Sequence, residues 1–147
     1  MSTIQIAPAN SADLPAVLAL LAESGLPPDG LAEHFGAALV ARDGERVVGS
    51  AALELYGEAG LLRSVAIAPE LRGQGLGREL TLAALELARA RGVHQLYLLT
   101  TTAEGYFPAF GFAPVSRAEV APAVRASAEF TGACPESAAV LALSLSH

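Results

Sequence analysis

The sequence predicts a mixed α/β fold, and three observations carry that expectation. Apolar runs at 38–42, 46–56 and 61–67, separated by Asp43-Gly44 and by Gly57 to Gly60, read as three successive antiparallel strands. The last of these runs and another at 95–100 flank a long amphipathic stretch, 75–91, which suits a right-handed helical crossover between parallel strands. A glycine-dense turn, Arg72-Gly73-Gln74-Gly75-Leu76-Gly77-Arg78, joins strand to helix.

Taken in order, Ile4 and Ile6 alternate with polar residues as a short first strand. Asn10-Ser11-Ala12-Asp13 then caps a helix whose Leu14, Val17, Leu18 and Leu21 keep helical period. Gly25 and Pro27-Pro28 end that helix, and Asp29 opens a second, short one reaching Phe35. If the turn after Tyr56 pairs that residue with Leu61, Glu54 faces Arg63 directly across the ladder. The long helix carries Leu76, Leu80, Ala83, Ala84 and Leu87 at helical spacing and closes at Gly92. A strand at 95–100, a helix at 103–110 and a strand at 112–115 follow. Residues 117–137 read as a helix plus irregular chain, and 138–144 as a final buried strand. The whole, 1–147, is expected to form a single domain with a sheet of about six to seven strands and no internal repeats.

With 52% hydrophobic residues in 147, the chain can bury one sizeable core. Its net charge of −6, with arginine but no lysine, argues against nucleic acid as a partner, since neutralising phosphates needs clustered cations. No run reaches eighteen apolar residues, and the first residues lack the basic and apolar regions of a secretory signal, so no membrane association and a cytoplasmic location are expected. Cys134 has no disulfide partner, and with His34, His94 and His147 scattered, no metal site is expected. No positioned histidine lies near Cys134 in sequence to activate it as an acyl-enzyme nucleophile.

The glycine turn is suited to hold phosphate. Gly73, Gly75 and Gly77 let the backbone approach a ligand closely and adopt positive φ, and residues Gln74 to Arg78 present N–H groups at the positive end of a helix. A tight turn without ligand is the plain alternative. The sequence lacks the Gly-Lys-Ser/Thr of a nucleotide triphosphate loop. Twenty residues past Gly77, where a dinucleotide fold would place its ribose-binding acid, stands Tyr97.

The pattern Arg72-x-x-Gly75-x-Gly77, preceded by Ser64-Val65-Ala66-Ile67-Ala68-Pro69 and followed by Ala103 to Phe112, resembles the GNAT N-acetyltransferase superfamily. Over about residues 45 to 116 the resemblance implies a GNAT fold, in which the two central parallel strands splay apart in a V and acetyl-CoA lies between them as cosubstrate. By resemblance, Val65, Ala66 and Ile67 offer main-chain contacts to the acyl-CoA arm. Arg72, Gly73, Gln74, Gly75, Leu76, Gly77 and Arg78 take the pyrophosphate, Phe107 lines the thioester end, and Thr101 is a further cofactor-binding residue. Leu62-Arg63-Ser64, Leu98-Leu99-Thr100-Thr101-Thr102 and Cys134-Pro135-x-Ser137-Ala138 are similar to the arsenic-resistance N-acetyltransferase subgroup, itself similar to the acetyltransferase domain of N-acetylglutamate synthases.

Two departures from the family pattern stand out. Its frequent general-acid tyrosine falls at Phe107, one residue after Tyr106, and its frequent acid on the central strand falls at Leu61. Tyr106 as acid and Glu54 as base are therefore the catalytic candidates, with an ordinary Glu54–Arg63 ion pair as the alternative. Arg63 and Arg125 are candidates for binding a carboxylate on the acceptor, because guanidinium grips it with a bidentate fork. The expected activity is direct acetyl transfer to the amine of a small molecule, an amino acid or amino-acid-like toxin among the options. The alternative is a non-catalytic acyl-CoA-binding or sensing module, and a homodimer is allowed for.

Overall fold

The computed structural model describes residues 4–100, 105–127, 130–131 and 138–145. Strand β1, Ile4–Pro8, leads to a 3-10 turn, Ser11–Asp13, and helix α1, Leu14–Glu23. Asn10 accepts from Ala12 N at 3.0 Å while Asp13 accepts from Asn10 N at 2.9 Å, so the two side chains cap each other's backbone at the entry to α1. Strands β2, Ala38–Asp43, β3, Arg46–Tyr56, and β4, Ala59–Ile67, form a meander. Helix α2, Leu76–Ala90, crosses to strand β5, Gln95–Thr100. Strand β6, Ala113–Pro114, helix α3, Pro122–Arg125, and strand β7, Ala139–Ser144, complete the described elements.

The seven strands form one sheet in the order β1-β2-β3-β4-β5-β7-β6. Among the described strands only β4 and β5 run parallel, which the α2 crossover permits. Their pairing covers Ala59 with Gln95, Gly60 with Leu96 and Leu61 with Tyr97, and beyond these pairs the described strands part. The V-shaped splay implied by the family resemblance is therefore present.

A bulge sits on β4 where the splay begins. Ser50 pairs with Ala66 but Ala52 pairs with Arg63, so Ser64 and Val65 together oppose Ala51. Ser64 takes φ +58°, a left-handed conformation at a non-glycine residue, and its carbonyl accepts from Ser50 Oγ at 2.7 Å. Strain of this kind persists where the surroundings fix it and often marks a functional site.

Several boundaries differ from expectation for local reasons. The β3–β4 turn spans Gly57 and Glu58 alone, with Gly57 at φ +71°, so Tyr56 pairs with Ala59 instead of Leu61. Glu54 accordingly pairs with Leu61, and Arg63 with Ala52. Gly30 adopts φ +79°, so the second short helix forms only beyond it, as a 3-10 turn over Ala32–Ala37. The helix expected at 103–110 is described only as a 3-10 turn, Phe107–Phe110, with Pro108 in its first turn and Gly111 at φ +101° closing it. Strand β6 covers only Ala113–Pro114, with Phe112 buried beside Phe107 ahead of it, and Val115 N still donates to Val140 O at 3.0 Å.

One continuous core gathers α1, α2 and the central strands, including Val17, Leu21, Leu53, Leu62, Leu80 and Leu96. A smaller cluster of Leu61, Tyr97, Val120, Val124 and Val140 anchors α3 to the sheet. On α2 the buried stripe is Leu76, Leu80, Thr81, Ala84, Leu85 and Ala88, with Ala83 and Leu87 at its edge. Among the described residues no helix is long and apolar enough to cross a membrane.

Candidate active site

The splay opens a cleft of ≈ 800 Å³, within the range of small-molecule sites. Its walls are β4 from Leu62 to Ile67, β5 from Leu98 to Thr100, the end of α1 and the chain after it, and the glycine turn. Val65, Ala66, Ile67, Arg72, Gly73, Gly75, Gly77, Arg78 and Phe107 all border it. Gln74 does not, being exposed with its amide on Glu70 O at 3.3 Å. Leu76 points into the core, and Thr101 lies outside the described residues.

The chemistry of the turn follows from its backbone. Gly73 and Gly75 hold φ of +79° and +87°, and a Cβ on either would meet nothing within 4 Å. Conformation demands glycine there, and both residues border the cleft. Gly77 differs from expectation, since it lies inside the first turn of α2 with ordinary helical backbone. Gly75 is the N-cap of α2, and no side chain caps that helix, so its first N–H groups await an acceptor. With Arg72 and Arg78 beside them, they can hold an anion.

Arg72 also reaches across the cleft mouth. Its Nε donates to Ile67 O at 3.1 Å and its Nη2 to Ser24 Oγ at 3.2 Å, tying the end of α1 to the end of β4.

Tyr106 is 42% exposed, and its hydroxyl lies 3.6 Å from where a Cβ on Gly77 would be, beside the start of α2. It borders the cleft and also a groove of ≈ 530 Å³ formed with Arg78, Leu82, Glu86, Arg89 and Phe110. Phe107 packs edge-on to Tyr106 and Phe112, and it brings no hydroxyl to the cleft.

Glu54 and Arg63 do meet, at 2.7 Å, although not as directly opposed partners: they sit diagonally, two residues apart in register on the same face. Glu54 pairs with Leu61, which places its strand position beside the one where the family acid is missing. Its carboxylate, however, is buried, accepts from Tyr56 OH and lies 3.6 Å from His34 Nε2. Burial first, and then the Glu54 carboxylate, push the Tyr56 phenol above its usual range, so Tyr56 acts there only as a donor. Glu54 does not itself border the cleft.

Arg63 is more deeply committed than a free carboxylate receptor would be. Its side chain is fully buried, and besides Glu54 it donates from Nη1 to Asp29 O at 2.5 Å, from Nη2 to Pro27 O at 2.9 Å and from Nε to Ser64 Oγ at 3.0 Å. Arg63 also borders the cleft, and at least four of its five donors already serve the protein. Arg125 is exposed at the end of α3 and does not border the cleft.

Some residues of the site had no signal that sequence reasoning used. The wall from Glu23 to Pro27 follows from tertiary packing of the α1 terminus, although Gly25 and Pro27-Pro28 mark a turn there. His34 and Tyr56 join Glu54 through a 5.8 Å ring contact and the phenol hydrogen bond. Of these, only Tyr56, two residues from Glu54 on one strand face, could have been placed by period alone. Among the described residues no group of three or more His, Cys, Asp or Glu could hold a metal.

The profile of the acetyltransferase (GNAT) family matches residues 10–113. Among curated protein sequences none matches the chain. Of solved structures, N-acetylglutamate synthase from Neisseria gonorrhoeae, complexed with coenzyme A and N-acetylglutamate, superposes with a TM-score of 0.84 at 24% identity. That match covers 100% of this chain but only 36% of the synthase, so the chain spans about a third of that protein's length. Rv2747 from Mycobacterium tuberculosis, in complex with CoA, gives a TM-score of 0.80 at 23% identity and covers 97% of this chain and 99% of that one. The ribosomal-protein-S18-alanine N-acetyltransferase of Escherichia coli gives 0.76 at 19%, covering 99% and 96%. At these identities the likeness is one of fold.

Proposed function

The chain belongs to the GNAT acetyltransferase family, and from that membership we propose that it transfers acetyl from acetyl-CoA directly to the amine of a small molecule. The observation that carries the reading is the uncapped start of α2 at Gly75, opening onto a cleft between two strands that stop pairing after Leu61 and Tyr97. Arg72, Arg78 and the N–H groups after Gly75 would hold the pyrophosphate, the free edge of β4 at Val65 to Ile67 the pantetheine arm, and the groove beside Arg89 and Phe110 the nucleotide end. The motifs shared with the arsenic-resistance and N-acetylglutamate synthase enzymes favour an amino acid or amino-acid-like amine as acceptor.

In the transfer, the neutral amine forms a C–N bond to the thioester carbon, the C–S bond breaks, and CoA leaves as thiolate while the amine proton passes to solvent. Among the described residues bordering the cleft, Glu23 is the one carboxylate and no histidine is present. A thiol of ordinary pKa, about 8.5, can depart without a dedicated acid. Turnover should therefore climb with pH until the acceptor amine is neutral, and a bell-shaped profile with an acidic limb below about pH 6 would point to an enzyme base instead.

A non-catalytic acyl-CoA-binding module is the second reading, favoured by Leu61 and Phe107 where the family commonly places acid groups and by the burial of Glu54. Two measurements separate the readings. Binding of acetyl-CoA to the native state should add about 2.7 kcal/mol at a hundredfold excess over Kd, seen as a rise in Tm, and Gly75→Asp should abolish it by straining an L-residue into positive φ and setting a negative charge against phosphate. CoA release with an amine panel establishes catalysis; binding without release on any amine would make the protein a sensor. Full acetyl-CoA affinity in a folded Gly75→Asp variant would remove the turn from the site.

A further inference from the structure

We propose that Arg63 is a positioning residue that fastens the chain between α1 and the 3-10 turn at Ala32–Ala37 as the acceptor-side wall of the cleft; this rests on the transfer reading above. The chain from Ser24 to Leu31 carries Gly25 and Gly30 at positive φ and two prolines, and among the described residues its backbone hydrogen bonds are short-range turns within itself, to the end of α1 or to the 3-10 turn that follows. Leu31 is buried in the core and Leu26 packs against it, and the polar ties to β4 come from arginines, Arg72 at Ser24 and Arg63 further along the segment. Arg63 donates to Pro27 O and Asp29 O, while its Nε holds Ser64 Oγ at the strained bulge. One buried guanidinium thus sets the distance between the cleft wall at Leu26 and Pro27 and the strand along which the acyl group would lie.

The rest of the cluster serves that guanidinium. Carbonyl oxygens carry only partial charge, so a buried arginine needs a full counter-charge, and Glu54 supplies it at 2.7 Å. Tyr56 OH donates to the other carboxylate oxygen, and His34, half-buried on the same 3-10 turn that ends the wall, stands 3.6 Å from it. Glu54 in this arrangement orients Arg63 rather than receiving a proton from substrate.

A direct carboxylate receptor and a fastening residue predict different kinetics. Arg63→Ala, paired with Glu54→Gln so that no charge is orphaned, should raise acceptor KM about tenfold and Arg63→Lys by less, in each case equally for an amino acid and for its α-amide. Change in kcat and in acetyl-CoA Kd should stay within about twofold, with lysine retaining more function than alanine. The amides of residues 24–26 and 29–31 should lose protection from hydrogen exchange in both variants, a readout that needs no turnover. A loss confined to the carboxylate-bearing acceptor would overturn the proposal and make Arg63 a ligand of substrate, and unchanged exchange at 24–31 would overturn it independently. Absence of any turnover in the wild-type protein would instead sink the transfer reading, with loop exchange then deciding the fastening by itself.

Discussion

Ser64 shows how one residue can be held against its preference. Its left-handed φ of +58° is tolerated because Ser50 Oγ holds its carbonyl and Arg63 Nε holds its hydroxyl. Replacement by valine places a β-branched side chain in that region and removes the hydroxyl, so Ser64→Val should lower unfolding free energy by about 1–3 kcal/mol in denaturant titrations; an unaltered midpoint would show that the bulge relaxes freely. The same Val65 and Ala66 edge should then bind acetyl-CoA more weakly. Tyr106 is a contrasting residue: half-exposed and beside Gly77, it should tolerate Tyr106→Phe with little loss of kcat. A fall beyond about a hundredfold with fold and affinity intact would establish it as the general acid. Sequence reading reached the Glu54–Arg63 contact through a hairpin two residues too long, because side chains two apart share a strand face and the error preserved the face. Period does not report how many donors a buried arginine spends on backbone carbonyls, so the commitment of Arg63 to Pro27 and Asp29 was not legible.

At the scale of elements, the seating of α2 on the sheet depends on a residue that is absent as much as on one present. An ideal Cβ at Gly49 would lie 2.8 Å from Leu80 Cδ1, so the leucine of α2 packs directly against the bare backbone of β3. Gly49→Ala should destabilise by about 1–3 kcal/mol through overpacking, and Leu80→Ala, from a fully buried site, by about 2–5 kcal/mol through a cavity. The double variant should cost less than the sum, since the new methyl occupies part of the space the leucine vacates; simple additivity would mean the two do not meet. Strands 46–56 and 95–100 and the long helix were readable because alternation, helical period and terminal glycines agree there. The short 3-10 turns at Ala32–Ala37 and Phe107–Phe110 were not, because a single turn set by Gly30, Pro108 and Gly111 carries too few residues to display a period.

For the molecule as a whole, the first helix is latched to the sheet by charge. Arg42 on β2 grips Asp13 at 2.7 and 2.5 Å, and those hydrogen bonds, partly opposed by burial, hold the Asp13 carboxyl below its ordinary range. A carboxyl lowered in the folded state contributes stability that is complete above its unfolded pKa, about 4, and is lost as pH falls through the lower folded value. Wild-type urea midpoints should therefore drop below about pH 4 more steeply than those of Asp13→Asn, which has no proton to take up; parallel curves would show that the latch contributes nothing. The fold class was legible because strand order follows chain order until the crossover, whereas the path of β7 between β5 and β6 depends on distant pairing that no local pattern announces. The parting of β4 from β5 has a mechanical side. Among the described residues only three strand positions pair a four-stranded panel with a three-stranded one, with α2 and α3 packed across them, so the middle of the sheet, where amides are ordinarily slowest to exchange, contains a seam. Main-chain amides of Val65 to Ile67 that face the seam should exchange as readily as those of an edge strand in the free protein and slow sharply with acetyl-CoA, the thioester arm standing in for the missing strand and letting two panels unfold as one.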